Sequence, residues 1–293
     1  MKLLRKEEAL PIILAALNED LGPGDITNKH LFEKDEAILA DIVAKEDCVL
    51  CGIEVARWVF NSLDERIVTR PLAQDGAVIK KGKKILSIKG SAKNILTAER
   101  TALNFLSRLS GVATETSKYV KKLKGKKALL YSTRKTMPGM RALDKYAVRV
   151  GGGTNHRMSL AEEIMIKDNH QMSLTSRYGT KKIGTIKKTV NIFKEKGFKN
   201  IEIEVDTLSE FKEALDSAAN IIMLDNIKPT EVKKAVSLRN KTSKKEKRGI
   251  ILEVSGGVNL ENIASLANTG VDRISVGAIT HSAPSIDFSL EIC

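Results

Sequence analysis

The sequence predicts an α/β protein with two parts: an N-terminal α+β sandwich domain, and an incomplete (β/α) barrel with its active site at the C-terminal ends of the strands. From residue 127 onward, apolar strand-like runs alternate with helical segments, which is typical of βαβ units in a parallel sheet. A polar residue or a glycine stands at or just after the end of each run. Before residue 108, short β-rich runs separated by glycine indicate a different, α+β module.

The domain boundaries are placed where this pattern changes. We assign residues 1–108 to the N-terminal domain and residues 109–278 to the barrel. A long helix, predicted from about residue 93 to 122 by apolar residues at helical spacing, connects the two. The tail, about residues 279–293, is expected to return and pack on the N-terminal domain.

The N-terminal domain begins with an amphipathic helix predicted over residues 5–17, which ends in a turn rich in glycine and proline. Strands are expected within residues 37–50 and 67–88, where β-rich runs alternate with glycine and charged turns. Residues 54–61 predict a helix between them. These elements suffice for a small layered module.

The barrel region contains about six strand-like runs, so the barrel is expected to be incomplete. The runs are 128–131, 163–166, 201–205, 221–224, 250–254 and 273–276. The helices between them are predicted at 184–196, 208–217, 230–238 and 259–268. Functional-looking residues at or past the strand ends are Arg134, Lys167, Glu204, Asp225, Ser255 and Gly277. In a barrel those ends converge on one face, which is where the active site lies.

The charge balance is strongly basic, with 49 Lys and Arg against 36 Asp and Glu and a net charge of +13. Such a balance fits nucleic acid, an anionic membrane or small anionic substrates. Only 4% of the residues are aromatic and no basic segment interleaves with aromatics, which disfavours a platform for stacking single-stranded bases. The basic run at residues 238–248 is interpreted as a solvated loop.

The three cysteines are Cys48, Cys51 and Cys293. The lone Cys48-Val-Leu-Cys51 pattern has too few ligands for a zinc site, so both cysteines are interpreted as small apolar fillers of a strand. Few cysteines, no secretory signal and no long apolar span predict a cytoplasmic protein that does not bind membranes.

A dense cationic stretch lies at residues 132–170. It contains Arg134, Lys135, His156, Arg157 and Lys167. The cations stand beside glycine and proline, so they lie on turns, where binding groups are often found. Arg grips a carboxylate or phosphate with two bonds, and Lys adds a point charge. The stretch therefore predicts a pocket for a small polyanion; the alternative is a basic surface loop.

Two carboxylates, Glu204 and Asp225, end neighbouring strands, and the last two strands end in Ser255-Gly256-Gly257 and Gly277-Ala278. Glycine there lets backbone N–H groups approach a phosphate closely. Carboxylates beside a phosphate suggest Mg²⁺. They could equally bind sugar hydroxyls, or pair with the neighbouring Arg and Lys in a purely structural role. A phosphorylated sugar and a small carboxylated acceptor fit these residues best.

Nine motifs occur in order between about Glu19 and Ser285 and together resemble the quinolinate phosphoribosyltransferase family, also called nicotinate-nucleotide pyrophosphorylase (carboxylating). They are Glu99–Asn104, Thr133–Gly139, Lys145–Ala147, Gly151–Arg157, Ile166–His170, Glu204–Asp206, Leu224–Asn226, Ser255–Gly257 and Ile274–Gly277. The resemblance implies conversion of quinolinate and phosphoribosyl pyrophosphate to nicotinate mononucleotide, pyrophosphate and CO₂, with Mg²⁺, in NAD biosynthesis. It also implies the sandwich-plus-barrel fold, and homodimers or larger assemblies such as hexamers.

The resemblance implies a role for each matching residue. Quinolinate would be bound by Arg134, Lys135, His156, Arg157 and Lys167, with Thr133 beside them and Arg100 reaching in from a partner subunit. Glu204 and Asp225 would bind the ribose hydroxyls and, directly or indirectly, the metal. The 5′-phosphate would contact Ser255, Gly256, Gly257, Gly277 and Ala278. The catalytic residues would be Lys135, Lys167, Glu204 and Asp225.

Three positions depart from the family pattern: Ser132, Ser159 and Glu162. None removes a proposed contact, so they affect fine positioning. One alternative is a related phosphoribosyltransferase-like protein with another acceptor, such as the paralogues associated with molybdenum transport; the intact segments 155–157 and 167–170 favour quinolinate. A nucleic-acid binder and a purely structural barrel are disfavoured, because the cations and polar residues concentrate at strand ends.

Overall fold

The computed structural model describes residues 4–32, 36–179, 182–246 and 249–293. In chain order the helices are α1 (Lys6–Leu21), α2 (Ile26–Leu31), α3 (Ile53–Leu63), α4 (Ala92–Lys122), α5 (Arg141–Val150), α6 (Asp168–Tyr178), α7 (Ile186–Glu195), α8 (Leu208–Leu215), α9 (Pro229–Glu246), α10 (Ile263–Ala267) and α11 (Ala278–His281). The strands are β1 (Ala37–Ala44), β2 (Cys48–Val49), β3 (Val68–Pro71), β4 (Val78–Ile79), β5 (Lys84–Ser91), β6 (Leu129–Tyr131), β7 (Ile164–Ile166), β8 (Ile201–Val205), β9 (Ile221–Asp225), β10 (Ile251–Ser255), β11 (Arg273–Ser275) and β12 (Phe288–Ile292).

The chain divides into two compact units that differ from the division drawn from sequence. The N-terminal unit consists of Met1–Lys118, Lys135–Gly153 and Ala278–Cys293, and the barrel unit of Tyr119–Arg134 and Thr154–Gly277. The sequence placed the boundary at residues 108/109 and put all of 135–153 in the barrel. That segment belongs to the N-terminal unit because polar side chains of α5 contact the rest of that unit. No local sequence pattern indicates these contacts.

Two buried contacts attach α5 to the N-terminal unit. Asp144 of α5 forms an ion pair with Arg108 of α4, at 2.9 Å between Oδ2 and Nη2. Tyr146 donates its hydroxyl to Asp75 over 2.8 Å. The first contact joins residues that are 36 positions apart in the sequence, and the second joins residues that are 71 positions apart. Long-range pairing of this kind decides which unit includes the segment.

The N-terminal unit has a four-stranded sheet in the order β12-β1-β5-β3, in which neighbouring strands are antiparallel. The tail is part of it, because β12 pairs with β1 and places Ile292 opposite Ala40. Cys48 and Cys51 are buried free thiols. Burial raises the pKa of Cys48 to about 11, so this side chain remains a neutral apolar filler at neutral pH.

The barrel unit is a six-stranded parallel sheet in the order β6-β11-β10-β9-β8-β7. Within the described ranges no ladder joins the outer strands β6 and β7, and the barrel is therefore incomplete. The predicted fold class is confirmed: an α/β chain with a parallel sheet and a separate domain that contains an antiparallel sheet.

The two faces of the parallel sheet differ sharply in polarity. Residues two apart on a strand point to the same face, and register partners on adjacent strands share it. One face consists of fully buried aliphatic residues: Ile203, Ile222, Leu252 and Ile274. The opposite face has acids and hydroxyls: Glu202, Glu204, Asp225, Glu253 and Ser275. The first face packs a core, so the second is the one available for chemistry.

The basic run at 238–248 is not the loop that the sequence predicted, because α9 continues to Glu246. Residues 247 and 248 lie outside the described ranges. Lys, Arg and Glu are good helix formers, which favours this extension. Arg239 anchors it by donating to the carbonyl oxygen of Ile250 over 2.7 Å and by pairing with Asp272 at 2.5 Å. Among the described helices, none combines the length and the apolar character that crossing a membrane requires.

Candidate active site

The C-terminal ends of the parallel strands bring most of the predicted residues to one edge of the barrel unit. Thr133 and Arg134 follow β6, Lys167 follows β7, and Glu204 and Asp225 lie near the ends of β8 and β9. Ser255 ends β10, with Gly256 and Gly257 after it, and Gly277 follows β11. His156 and Arg157 also belong to the barrel unit, in the segment between β6 and β7. The remaining three predicted residues belong to the N-terminal unit: Arg100 is exposed on α4, Lys135 comes directly after Arg134, and Ala278 begins α11.

Two guanidinium groups form a cationic pocket in the barrel unit. Arg157 is buried and donates from Nη1 to the carbonyl oxygen of Glu163 over 2.8 Å. Burial and the neighbouring charge of Arg134 lower the pKa of Arg157. The Nε atom of Arg134 is buried and has no hydrogen-bond partner in the described part of the chain. Two close cations, one with an unsatisfied donor, are suited to bind an anion.

His156 lies between buried acids on the polar face of the sheet. Its Nε2 atom is 3.2 Å from Oε2 of Glu202 and 3.4 Å from Oε1 of Glu253. Nδ1 accepts from the N–H of Arg157, 3.1 Å away, when the ring is neutral. When the ring is protonated, Nδ1 bears a proton that faces the Glu163 carboxylate, 3.7 Å away. Burial lowers the pKa of His156, but Glu202 and Glu253 outweigh it, and the pKa rises to about 9. The ring is therefore a cation at neutral pH.

The charge on His156 predicts a pH-dependent stability. The pKa of His156 is about 9 in the folded protein and about 6.5 in an unfolded chain, so the bound proton stabilises the fold fully below pH 6.5. That stabilisation, about 3 kcal/mol, is lost as pH rises through 9. We expect His156→Gln to be less stable than the wild type in urea at pH 6.5, and the difference to shrink towards pH 9.5. A constant difference across this range would show that folding does not raise the pKa of His156.

Three carboxylates form an acidic cluster at the C-terminal ends of β8 and β9. Ligand oxygens of Glu204, Asp206 and Asp225 lie within 4.8 Å of one another. Lys167 donates from Nζ to Glu204 over 2.7 Å. Gln171 donates to the backbone oxygen of Glu204, also over 2.7 Å, which fixes the end of β8. An all-oxygen set of this size fits Mg²⁺, which prefers carboxylates and keeps several of its own waters.

The turn after β10 requires glycine. Gly256 has φ +83°, and a Cβ there would lie 2.2 Å from Oδ1 of Asn226. Asn226 itself adopts φ +52° and donates to the carbonyl oxygen of Ser255 over 3.0 Å. Its side-chain amide donates to Asp225 over 2.8 Å. Asn226 thus joins the glycine turn to the acidic cluster, so the two features are built as one unit.

Several of these residues were not predicted from sequence as members of the site. They are Glu163, Glu202, Asp206, Asn226 and Glu253. The alternation in Ile201-Glu202-Ile203-Glu204 signals one polar face, and it could have indicated Glu202 alongside Glu204. Asp206 and Asn226 stood inside recognised motifs but received no role. For Glu253 no local signal exists, because its contact with His156 depends on how distant segments are paired.

The three departures from the family pattern make local contacts. Ser132 donates its hydroxyl to Oδ1 of Asn155 over 2.8 Å. Glu162 accepts from the N–H of Met158 over 2.6 Å, and Ser159 accepts from the N–H of Ala161 over 3.2 Å. They stabilise the turns on either side of His156, and none displaces a predicted site residue.

The comparisons with known proteins cover nearly the whole chain. Residues 25–110 match the family model described as quinolinate phosphoribosyl transferase, N-terminal domain, and residues 112–291 match the corresponding C-terminal domain. The chain belongs to the quinolinate phosphoribosyl transferase family. The family resemblance drawn from the nine motifs is therefore confirmed, as is the assignment of the chain as an enzyme.

Curated relatives and solved structures of the family agree with this membership. A protein of Methanocaldococcus jannaschii named probable nicotinate-nucleotide pyrophosphorylase [carboxylating] is 41% identical over 290 residues, covering 98% of each chain. The nicotinate-nucleotide pyrophosphorylase [carboxylating] of Mycobacterium leprae is 36% identical over 292 residues, again with 98% of each chain covered. The structure of the nicotinate-nucleotide pyrophosphorylase from Francisella tularensis superposes with a TM-score of 0.88 at 38% identity, over 100% of this chain and 98% of that one.

Proposed function

We propose that this enzyme transfers the phosphoribosyl group of phosphoribosyl pyrophosphate to quinolinate with loss of CO₂. The products are nicotinate mononucleotide and pyrophosphate, as in the de novo synthesis of NAD. One observation supports this above the others: a cationic pocket and an acidic cluster lie at the same edge of a parallel sheet, in a chain that matches both family domains. The first suits a dicarboxylate and the second suits a ribose and its metal.

Quinolinate has two adjacent carboxylates, so its binding needs several fixed cations. Arg134 and Arg157 provide the guanidinium groups, and His156 adds a third positive charge because its pKa is about 9. Lys135 and Lys167 complete the set that we assign to quinolinate, and we also assign both to the pyrophosphate of phosphoribosyl pyrophosphate. Fixed cations in a buried site act more strongly than they would in water, because little solvent screens them.

Mg²⁺ fits the acidic cluster of Glu204, Asp206 and Asp225, and we propose these residues for binding it, either directly or through water. When bound, the ion would neutralise charge on the departing pyrophosphate. Glu204 and Asp225 are also placed to accept hydrogen bonds from ribose hydroxyls. The turn at Ser255–Gly257 offers backbone N–H groups to the 5′-phosphate, as glycine-rich turns in barrels do.

The proposed reaction has two bond-breaking events. The bond between C1′ of the ribose and pyrophosphate breaks, the quinolinate nitrogen bonds to C1′, and Glu204 and Asp225 stabilise the positive charge that develops on the sugar. The ring then loses its 2-carboxylate as CO₂, and the electron pair left on that carbon takes up a proton. We assign Lys167 to the departing groups, since its ammonium is held at 2.7 Å by Glu204 on the same strand edge.

We propose that the active unit is a homo-oligomer in which Arg100 completes the site of a neighbouring subunit. Arg100 is exposed on α4, as such a role requires. We expect Arg100→Ala and Arg134→Ala each to be inactive alone. An equal mixture of the two should regain about a quarter of wild-type activity, since half of the dimers are then mixed and each mixed dimer has one intact site of two. No recovery in verified mixed dimers would contradict a shared site.

A cytoplasmic location is part of the proposal. All three cysteines are free thiols, and Cys48 and Cys51 are buried. Free thiols are usual where the compartment keeps cysteine reduced.

The proposed function is tested by incubating the protein with quinolinate labelled at its 2-carboxylate, phosphoribosyl pyrophosphate and Mg²⁺. We expect labelled CO₂ and nicotinate mononucleotide in equal amounts, only when both substrates are present. Nicotinate in place of quinolinate should give no product, because it lacks the second carboxylate that the cationic pocket binds. Folded protein that forms no product would contradict the proposal and would indicate a family member with another acceptor.

A further inference from the structure

The N-terminal unit contains a buried polar network that joins α4, α5 and α11. Arg108 of α4 is 8% exposed, and Asp144 of α5 is fully buried. The guanidinium grips the carboxylate with two bonds, 3.0 Å from Nε to Oδ1 and 2.9 Å from Nη2 to Oδ2. Nη2 also donates to the backbone oxygen of Thr280 in α11. One guanidinium therefore binds two separate segments of the chain.

Each partner of Arg108 in turn binds the loop that begins at Lys135. Asp144 accepts from the N–H of Met137 over 3.3 Å. Thr280 donates its hydroxyl to the carbonyl oxygen of Lys135 over 2.8 Å. Thr280 is itself fully buried, so this hydroxyl is shielded from water. The loop and α11 are thus tied to the same point of α4.

The loop between Lys135 and the start of α5 belongs to no helix or strand. Met140 donates to Met137 in a single turn, and the side chain of Lys135 is exposed. The segment after α11 lies directly against α4, because a Cβ on Gly111 would lie 2.1 Å from the carbonyl oxygen of Pro284. The network therefore joins a loop without regular secondary structure to a segment that packs directly against α4.

The two ends of this network are next to residues that the proposed function assigns to one substrate. Lys135 is assigned to the pyrophosphate end of phosphoribosyl pyrophosphate, and Ala278, two residues before Thr280, to its 5′-phosphate. Both residues belong to the N-terminal unit. Because Thr280 bonds the backbone of Lys135, the two residues are held at a fixed separation.

We propose that Arg108, Asp144 and Thr280 are positioning residues that set the distance between Lys135 and Ala278, and so the fit to phosphoribosyl pyrophosphate. This inference rests on the proposed function. The three residues touch no reacting atom; they act through the backbone of the two segments. Small errors in such positioning are costly, because a displacement of about 1 Å can reduce a rate by roughly 10²-fold.

Thr280 gives the sharpest test, because valine keeps its shape without the hydroxyl and serine keeps the hydroxyl without the methyl. We expect Thr280→Val to lower kcat/KM for phosphoribosyl pyrophosphate about tenfold, the equivalent of one lost hydrogen bond in a buried site. Thr280→Ser should stay within about twofold of the wild type. Thr269→Val is the matched control, since the Thr269 hydroxyl also donates to a carbonyl, that of Leu266, over 2.6 Å. We expect that control to lose stability without losing kcat/KM.

A second readout separates this inference from the proposed function. The affinity for inorganic pyrophosphate, measured by calorimetry, needs no acceptor and no turnover, and we expect it to fall in Thr280→Val but not in Thr280→Ser. If the wild type forms no nicotinate mononucleotide, the proposed function is wrong, and this binding measurement still decides the inference. Equal affinities, or no pyrophosphate binding to the wild type, would overturn the network's role. Should Thr280→Val fail to fold, Arg108→Lys, which retains the charge but not the two-bond grip, takes its place with the same expected losses.

Discussion

Replacing Lys167 by alanine is expected to lower kcat by about 10²–10³-fold, the effect typical of removing one charge-stabilising group from an active site. Lys167 follows β7, and its ammonium lies 2.7 Å from Glu204. The substitution removes a cation that we assign to the departing groups, and it leaves the Glu204 carboxylate without that partner. Since Lys167 is exposed, the fold should tolerate the change.

The measurement is steady-state turnover with both substrates saturating, together with the melting temperature of each variant. Lys127→Ala is the matched control, because Lys127 also pairs with a carboxylate, that of Asp272, at 2.6 Å. Lys127 precedes β6 and Asp272 precedes β11, so the pair lies at the amino-terminal edge of the same sheet. The candidate site lies at the opposite, C-terminal ends of the strands. We expect this control to retain turnover. A Lys167→Ala enzyme with wild-type kcat would remove Lys167 from the mechanism.

The edge of the sheet with the site could be predicted from the sequence because polar residues at strand ends follow from local patterns. Lys167, Glu204 and Asp225 each follow or end an apolar run, and parallel strands align their carboxyl ends. The family resemblance then added roles that no spacing could provide. The position of these residues at one edge of the sheet was predictable for this reason, and their roles stay predictions.

The surroundings of His156 could not be predicted in the same way. Its charge depends on Glu202 and Glu253, which lie on β8 and β10 with β9 between them. Whether these acids reach the ring depends on strand order and register, since a shift by one residue would turn both to the apolar face. A single sequence contains no direct measure of either quantity.

The membership of residues 135–153 in the N-terminal unit could not be predicted from the sequence for a related reason. The sequence places this stretch between two barrel strands, and local patterns favour the simpler continuous barrel. The ion pair between Arg108 and Asp144 joins it to α4 instead. A buried charge without its partner is strongly destabilising, so Arg108 and Asp144 pair although they are 36 positions apart in the sequence.

A substitution in the acidic cluster is expected to have the second large effect on activity. Asp225→Asn is expected to lower kcat/KM for phosphoribosyl pyrophosphate by roughly 10²-fold and to raise the Mg²⁺ concentration needed for half-maximal rate. An amide keeps the shape of the side chain but removes the negative charge that attracts the ion. Asp225 is half-buried at the end of β9, and its neighbours Glu204 and Asp206 lie within 4.8 Å. The amide of Asn226 already donates to Asp225, so the substitution also loses that acceptor.

The rate is measured against Mg²⁺ concentration for the wild type, Asp225→Asn, Asp206→Asn and the double variant. Two ligands of one ion should interact, so the double variant is expected to lose less than the product of the two single losses. Asp47→Asn removes one charge from an exposed carboxylate that pairs with Lys80 in the N-terminal unit, and it should behave as the wild type. If Mg²⁺ dependence is unchanged in Asp225→Asn while kcat/KM falls, this carboxylate binds the ribose hydroxyls rather than the metal. If neither changes, the cluster is a structural feature of the sheet edge.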